Sequence, residues 1–296
     1  MLQLGFDARA VYIRSHEPRR IADLVQLQEP VFFEAVSEGL ALIHENALRI
    51  WQSVGLLAKE QDFRSAEILK GLALEEAAKY LILLDAVRCP GKPDEPFIRQ
   101  LRKFNRHLAR GLYTEICDWR PVDLKEVRVG VERECKDYYL DGPNDVDWIF
   151  RRDIDRQREE ALYVDYVADQ TGHRWVSPKN GETLSAGMFF NYGPAAIQII
   201  DAAHKAGIGE AAALEAIAGL WRALALADDT HSSTLRGWNV ETLQRLDASG
   251  LLEGADDVHH CIAEFWPFPL YDLAMEPVKV KKSELEEIQD RWSPEY

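Results

Sequence analysis

Positive charge is concentrated in one short stretch of an otherwise acidic chain. The 296 residues include 50 acidic and 35 basic side chains, with a formal net charge of −15. Such a charge argues against a broad nucleic-acid surface, so a phosphate site in this chain has to be local. A histidine among cations is suited to acid–base chemistry on a phosphate. The stretch 97–110 has no acidic residue, and its basic side chains are Arg99, Arg102, Lys103, Arg106, His107 and Arg110.

The basic stretch is predicted to form one amphipathic helix over residues 97–113. Apolar residues recur on one face at helical spacing, and the basic side chains spread over the opposite face. His107 lies at the border, with Lys103 four residues before it and Arg110 three residues after it. This layout suits the binding of a phosphate, and Lys103 and Arg106 are then substrate-binding residues. A solvated basic face with an ordinary boundary histidine is the alternative.

Glu76 is a second candidate, on the preceding helix. That helix is apolar almost throughout and should therefore be buried. At about 100° per residue, Glu76 falls on its apolar stripe, whereas Glu75 and Lys79 are spaced to pair on the surface. We therefore expect Glu76 to be buried and to contact Arg110 or His107, with Lys79 near the substrate. A purely structural ion pair is the alternative.

The remaining pattern predicts an all-α protein. A long helix over 30–59 is followed by a second helix that ends near Cys89, where Pro90 and Gly91 break the chain. Strand-like alternation is scarce. A loop is expected over 171–186, and the predicted units are an N-terminal segment 1–29, a helical domain 30–175 and a C-terminal helical region 186–296. The further helical patterns cover 122–139, 148–169, 187–206, 209–227 and 238–247.

Three motifs in sequence order carry a resemblance to a known family. They are the run Ala66-Glu-Ile-Leu-Lys-Gly-Leu-Ala-Leu-Glu-Glu-Ala-Ala-Lys79, then Phe104-Asn-Arg-His-Leu-Ala-Arg110, and then Arg158-Glu-Glu-Ala-Leu-Tyr-Val-Asp-Tyr166. Over residues 36–185 the chain resembles the AbiV-type abortive infection proteins of the HEPN-like helical class. The resemblance implies a HEPN-like helical bundle with a C-terminal helical extension and a role in phage defence. For the wider class it implies metal-independent RNA cleavage at a homodimer interface.

The HEPN nuclease signature is an arginine four to six residues before a histidine. It is formally present as Arg102 and His107, although Lys103 stands where Asn, Asp or His usually follows the arginine. On one continuous helix Arg102 and His107 point about 140° apart. We therefore expect His107 to act with Arg110, assisted by Arg102, and with Glu76 as the residue that orients the basic partner.

Several other classes of function are not indicated. No apolar run reaches the length of a signal peptide or membrane span, so a cytoplasmic protein without a membrane segment is expected. The four cysteines form no CxxC pair, and neither a Walker loop nor GxGxxG occurs, so we expect no metal and no cofactor. Two alternatives stay open. One is a non-catalytic protein that binds a phage-encoded or translation-related partner, and the other is an antitoxin-like scaffold.

Overall fold

The computed structural model describes residues 20–92, 94–139, 149–150, 154, 162–169, 172–178, 193–279, 281, 283–284 and 287. These residues are mostly helical, and the all-α prediction is confirmed. A 3-10 helix, Ile21–Gln26, comes first. The α-helices are α1 Glu29–Lys59, α2 Phe63–Arg88, α3 Glu95–Lys103, α4 His107–Asp118, α5 Leu124–Cys135, α6 Ala195–Lys205, α7 Ala211–Trp221, α8 Ser232–Ala248 and α9 Asp256–Phe265. The short strands are β1 Lys136–Tyr139, β2 Ile149–Phe150, β3 Asp165–Asp169, β4 Gly172–Val176 and β5 Val278–Lys279.

The long helices α1 and α2 form an antiparallel hairpin that organises the N-terminal part. Pro30 occupies the first turn of α1, where its missing N–H costs nothing. Gln61 reverses the chain after α1 with a φ of 63°. The Asp62 side chain then accepts a hydrogen bond from the Ser65 N–H at 3.2 Å, which caps α2. The helix limits agree with the predicted limits 30–59 and with the predicted end of the second helix near Cys89.

One hydrophobic core runs through both the N-terminal and the C-terminal helices. Ile197 and Ile200 of α6 and Trp221 of α7 belong to the same buried cluster as Leu83 of α2. The division of the chain into a helical domain 30–175 and a C-terminal helical region 186–296 stays a prediction. In the described residues, the helices of both units pack around a common interior.

A network of buried polar side chains lies inside this core. The Asp85 carboxylate binds Arg88 of the same helix and accepts a 2.7 Å hydrogen bond from the Tyr113 hydroxyl of α4. Gln100 of α3 donates to the backbone carbonyl oxygen of Ile82 at 2.8 Å. Buried polar groups are stable only when paired, so these contacts fix α3 and α4 against α2.

Residues 266–279, called here the C-terminal strap, complete the network. The Leu270 N–H donates to Asp85 at 2.7 Å, and the Leu270 carbonyl oxygen accepts from the Lys103 ammonium. The Pro267 carbonyl oxygen accepts from Arg88 at 3.1 Å. At the end of the strap, β5 pairs in parallel with β1. Polar groups that α2 and α3 leave buried are therefore satisfied by a segment far along the chain.

Three predictions of secondary structure are wrong in part. The pattern over 122–139 forms a helix only to Cys135, followed by β1, and the pattern over 148–169 contains β2 and β3. The loop expected over 171–186 contains β4, which pairs antiparallel with β3. Aromatic and β-branched residues around Tyr166 favour a strand, and β4 begins at Gly172, which has a φ of 115°. Residues 148, 151–153 and 155–161 of the pattern 148–169, and residues 187–192 of the pattern 187–206, lie outside the described residues.

Burial of Lys103 should give stability a distinctive pH dependence. Lys103 is 1% exposed, and desolvation lowers the pKa of its ammonium from 10.5 to about 7, although Asp85 and Asp272 oppose the shift. Between these two values the unfolded chain holds a proton that the folded chain has released, so stability rises with pH. We expect the free energy of unfolding of the wild type to rise from pH 7 to pH 10 relative to that of Lys103→Met.

Urea unfolding at several pH values measures this difference. The exposed Lys125 of α5 offers the matched control, and Lys125→Met should follow the wild-type pH profile. Parallel profiles for the wild type and Lys103→Met would contradict the prediction.

Candidate functional site

His107 is the first residue of α4, and the predicted continuous helix over 97–113 is wrong. The chain ends α3 at Lys103 and turns through Phe104, Asn105 and Arg106 with hydrogen bonds between residues three apart. The Phe104 carbonyl oxygen, released from the helix, accepts from an Arg110 side-chain nitrogen at 3.3 Å. The angle of 140° between Arg102 and His107 therefore does not apply, because the two residues belong to different helices.

The structure brings His107, Arg110 and Glu75 into mutual contact. The His107 Nδ1 lies 3.0 Å and 3.2 Å from the two Glu75 carboxylate oxygens. Arg110 Nη2 lies 2.9 Å from Glu75 Oε2 and 2.8 Å from His107 Nδ1. The His107 side chain is 47% exposed, whereas the Arg110 side chain is 9% exposed. The cluster therefore presents its imidazole to solvent and keeps its cation and carboxylate behind the ring.

The proton of neutral His107 has two positions that these distances allow. On Nδ1 it is donated to Glu75, and the Nε2 lone pair is left as an acceptor, 3.4 Å from Arg110 Nη2. On Nε2 it leaves Nδ1 to accept from Arg110. The ionised carboxylate favours the first arrangement, since hydrogen bonds to a charged acceptor are the stronger ones. In that state Nε2 can accept a proton from a bound substrate.

Glu75, and not Glu76, is the carboxylate that reaches α4, so the contact predicted for Glu76 is wrong. The Glu76 side chain is 20% exposed and pairs with Lys79 on its own helix. The reason is that α2 has a second buried face toward α3 and α4. Glu75 lies on this face seven residues before Ile82, which is about 20° away around the helix. This spacing is the signal in the sequence that could have identified Glu75.

The other basic residues of the predicted site, Lys103, Arg102 and Arg106, differ in burial and in their ion-pair partners. Lys103 is buried in the core network, so its expected position on a solvated substrate-binding face is wrong. Arg102 is 56% exposed and lies 3.6 Å from Glu95. Arg106 forms an ion pair with Glu276 of the C-terminal strap. The basic stretch of the sequence is thus partly neutralised by acidic residues from outside it.

Lys79 lies beside the break between α3 and α4. Its ammonium is 5.5 Å from the centre of the Phe104 ring and is paired with Glu76. A cation over an aromatic face is a favourable contact of about 0.5–1 kcal/mol at exposed sites. Lys79 therefore stabilises the turn that precedes His107.

The start of α4 is itself electropositive. Arg106 is the N-cap residue and makes no side-chain capping bond, and the first turn holds no acidic residue. Free N–H groups at a helix start, together with the helix dipole, favour a bound anion. The site therefore combines an exposed imidazole, a cation behind it and a positive helix end, a set of groups suited to chemistry on a phosphate.

Neither a metal cluster nor a membrane span is found in the part of the chain that the structure describes. No group of three or more His, Cys, Asp or Glu side chains in those residues is placed to hold a metal ion. Among the same residues, no helix combines the length and apolar character needed to cross a bilayer.

Replacing either glutamate by glutamine should separate their structural roles. Glu75→Gln removes the charged partner of the buried Arg110, and we expect it to lower the free energy of unfolding by about 1–2 kcal/mol. Glu76→Gln breaks a pair within one helix that is partly exposed, and we expect a loss below about 1 kcal/mol. Urea unfolding of both variants measures the difference, and equal losses would contradict it.

The comparisons with known proteins assign the family. The HEPN family model described as AbiV matches residues 35–183, about half of the chain. This match begins within α1, continues past the end of α5 and includes Glu75, His107 and Arg110. No curated protein and no solved structure matches the chain. The chain therefore belongs to the AbiV-type HEPN family, which suggests a part in abortive infection, a form of phage defence.

Proposed function

We propose that this chain is an abortive-infection effector that arrests growth of the infected cell by cleaving RNA at His107 without a metal ion. The observation that carries the proposal is the contact of His107 with both Glu75 and Arg110 at the uncapped start of α4. Membership of the AbiV-type family supports the role in phage defence. The exposed imidazole supports catalysis at this position.

The proposed reaction is attack of a ribose 2′-hydroxyl on the neighbouring phosphate. His107 Nε2 accepts the hydroxyl proton while the 2′-oxygen bonds to phosphorus. The bond from phosphorus to the 5′-oxygen then breaks, and that oxygen takes a proton from water or from a protonated histidine. The products are a 2′,3′-cyclic phosphate and a 5′-hydroxyl end.

Each neighbour of His107 has a distinct part in this proposal. Glu75 orients the imidazole and holds the proton on Nδ1. The sequence alone assigned the orientation of the basic partner to Glu76. Arg110 is a positioning residue, since its guanidinium is committed to Glu75 and to the Phe104 carbonyl oxygen. The positive end of α4 stabilises the charge on the phosphate. The exposed Arg102, and Arg106 in exchange for its pair with Glu276, bind neighbouring phosphates.

An RNA cleavage assay in the presence of EDTA tests the proposal. We expect the wild type to cleave RNA and His107→Ala to cleave at least about 100-fold more slowly, as loss of a general base predicts. His260→Ala, in an exposed histidine of α9, is the matched control and should retain full activity. The products should carry 2′,3′-cyclic phosphate ends.

Two results would contradict this mechanism. The first is loss of cleavage on chelation, with rescue by a divalent ion. The second is unchanged cleavage by folded His107→Ala.

We further propose that the active form is a homodimer with His107 at or near the interface. An isologous contact brings the two exposed imidazoles close together, so one accepts a proton while the other donates one. We expect light scattering at micromolar concentration to give twice the mass of the chain, which is 33.8 kDa. A monomer under these conditions would count against the proposal.

A non-catalytic function is the second candidate, and the hairpin of β3 and β4 favours it. Tyr166 and Trp175 are partners across this hairpin, with ring centres 5.0 Å apart and exposures of 58% and 71%. Exposed aromatic pairs are typical of protein-binding surfaces. On this hypothesis the chain stops growth by binding a phage-encoded or translation-related protein. Growth arrest that survives His107→Ala but is lost in Tyr166→Ser with Trp175→Ser would favour it.

A further inference from the structure

A separate cleft lies at the opposite end of α4 from His107. It is about 230 Å³ in volume and is bounded by the end of α4, the segment that follows it, the start of α8 and the end of α9. The helix α4 begins at His107 and ends at Asp118, which separates the cleft from His107 by about 16 Å of helix. Its aromatic and basic walls include Trp119, Arg120, His231, Arg236 and Phe265.

The cleft carries a positive charge that the described residues do not neutralise. The Arg120 guanidinium stacks over the Phe265 ring at 4.6 Å, and no described carboxylate lies within ion-pair distance of it. Arg236 is 3.7 Å from Glu264, a loose pair with both side chains about 40% exposed. Two arginines therefore face one acid, in a chain with a net charge of −15.

The walls of the cleft are held together by backbone contacts between distant segments. The Ser232 N–H donates to the Val122 carbonyl oxygen at 2.8 Å, and the Leu124 N–H donates to the Thr230 carbonyl oxygen at 3.1 Å. The cleft is therefore formed before a ligand arrives.

Gly130 of α5 fixes the aromatic wall. A methyl group at this position would lie 2.5 Å from the Trp119 ring, so the absence of a side chain allows the indole to pack directly on α5. Preformed walls lower the entropic cost of binding.

We propose that this cleft binds a single nucleotide, with the base against Trp119 and the phosphate at Arg120 and Arg236. Pockets for drug-sized ligands have volumes of about 300 Å³ or more. The volume of this cleft lies just below that value, so the cleft suits a ligand with one planar ring system. Arginine pairs with phosphate through two parallel hydrogen bonds, and bases stack on aromatic and guanidinium planes. A cation is repelled by Arg120, and a purely apolar ligand gains no electrostatic attraction from either guanidinium group.

The nucleotide has two sources, a free mononucleotide or one residue of a single-stranded RNA. Binding at this cleft does not require cleavage at His107. The experiment therefore uses the full chain with His107→Ala, so that a failure of binding is distinct from a failure of the proposed ribonuclease activity.

Isothermal titration calorimetry with AMP, GMP, CMP and UMP tests the proposal. Adenosine, which lacks the phosphate, and inorganic phosphate, which lacks the base, are titrated for comparison. A five-nucleotide RNA supplies the second source. We expect one site per chain with a Kd below about 1 mM for a nucleotide or the RNA, and binding of adenosine and of inorganic phosphate at least about tenfold weaker. Arg120→Ala should weaken binding about tenfold, as loss of a charge-assisted hydrogen bond predicts, and Arg120→Lys should weaken it less.

Arg245→Ala is the matched control, because Arg245 lies on α8 outside the cleft and pairs with Glu241. It should bind as the parent chain does. Saturation by a mononucleotide shows that the cleft takes a free nucleotide. Saturation by the RNA alone, if it depends on Arg120, shows that the cleft takes one residue of a single-stranded RNA. Absence of saturation by both overturns the proposal, as does unchanged binding by folded chains with Arg120→Ala and Arg236→Ala.

Discussion

The buried carboxylate of Asp85 is the constraint on which the rest of the structure depends. At 1% exposure it has no access to water, and an unpaired charge in such a place costs several kcal/mol. Its partners come from three parts of the chain, namely Arg88 on the same helix, the Tyr113 hydroxyl and the Leu270 N–H. The positions of α4 and of the C-terminal strap against α2 are therefore fixed by one group. Loss of a partner of such a pair destabilises proteins by about 3–5 kcal/mol.

This constraint determines where His107 lies. Tyr113 follows His107 by six residues, so the bond of Tyr113 to Asp85 also places the start of α4 along α2. Glu75 precedes Asp85 by ten residues, about 15 Å along the helix and about 80° around it, and its carboxylate reaches His107. The strap lies outside the matched residues 35–183 yet closes the network through Leu270. The family core of this chain thus depends on its C-terminal region for a buried partner.

The spacing of neighbouring residues predicts the long helices correctly. It fails at positions whose structure depends on contacts with residues far along the chain. The limits of α1 and α2 follow from apolar spacing, Pro30 and the break at Cys89 and Pro90, all of which are properties of neighbouring residues. The turn at Asn105 was missed, because apolar spacing continues through it. The choice between Glu75 and Glu76 depends on which face of α2 meets α4, and local sequence does not show this. The burial of Lys103 depends on a carbonyl oxygen far along the chain, which periodicity does not indicate.

The same contacts change the meaning of the basic stretch. In sequence it is a block of basic residues without an acid. In the fold Glu75 pairs with both His107 and Arg110, Glu95 and Glu276 each pair with one arginine, and Lys103 is withdrawn into the core. Exposed ion pairs contribute little and are easily exchanged for a phosphate, whereas a broad positive field is absent. Binding of a polyanion at this surface then depends on a few placed groups, above all the start of α4 and the exposed imidazole. Geometry at His107, and not net charge, therefore has to provide the selectivity of the site.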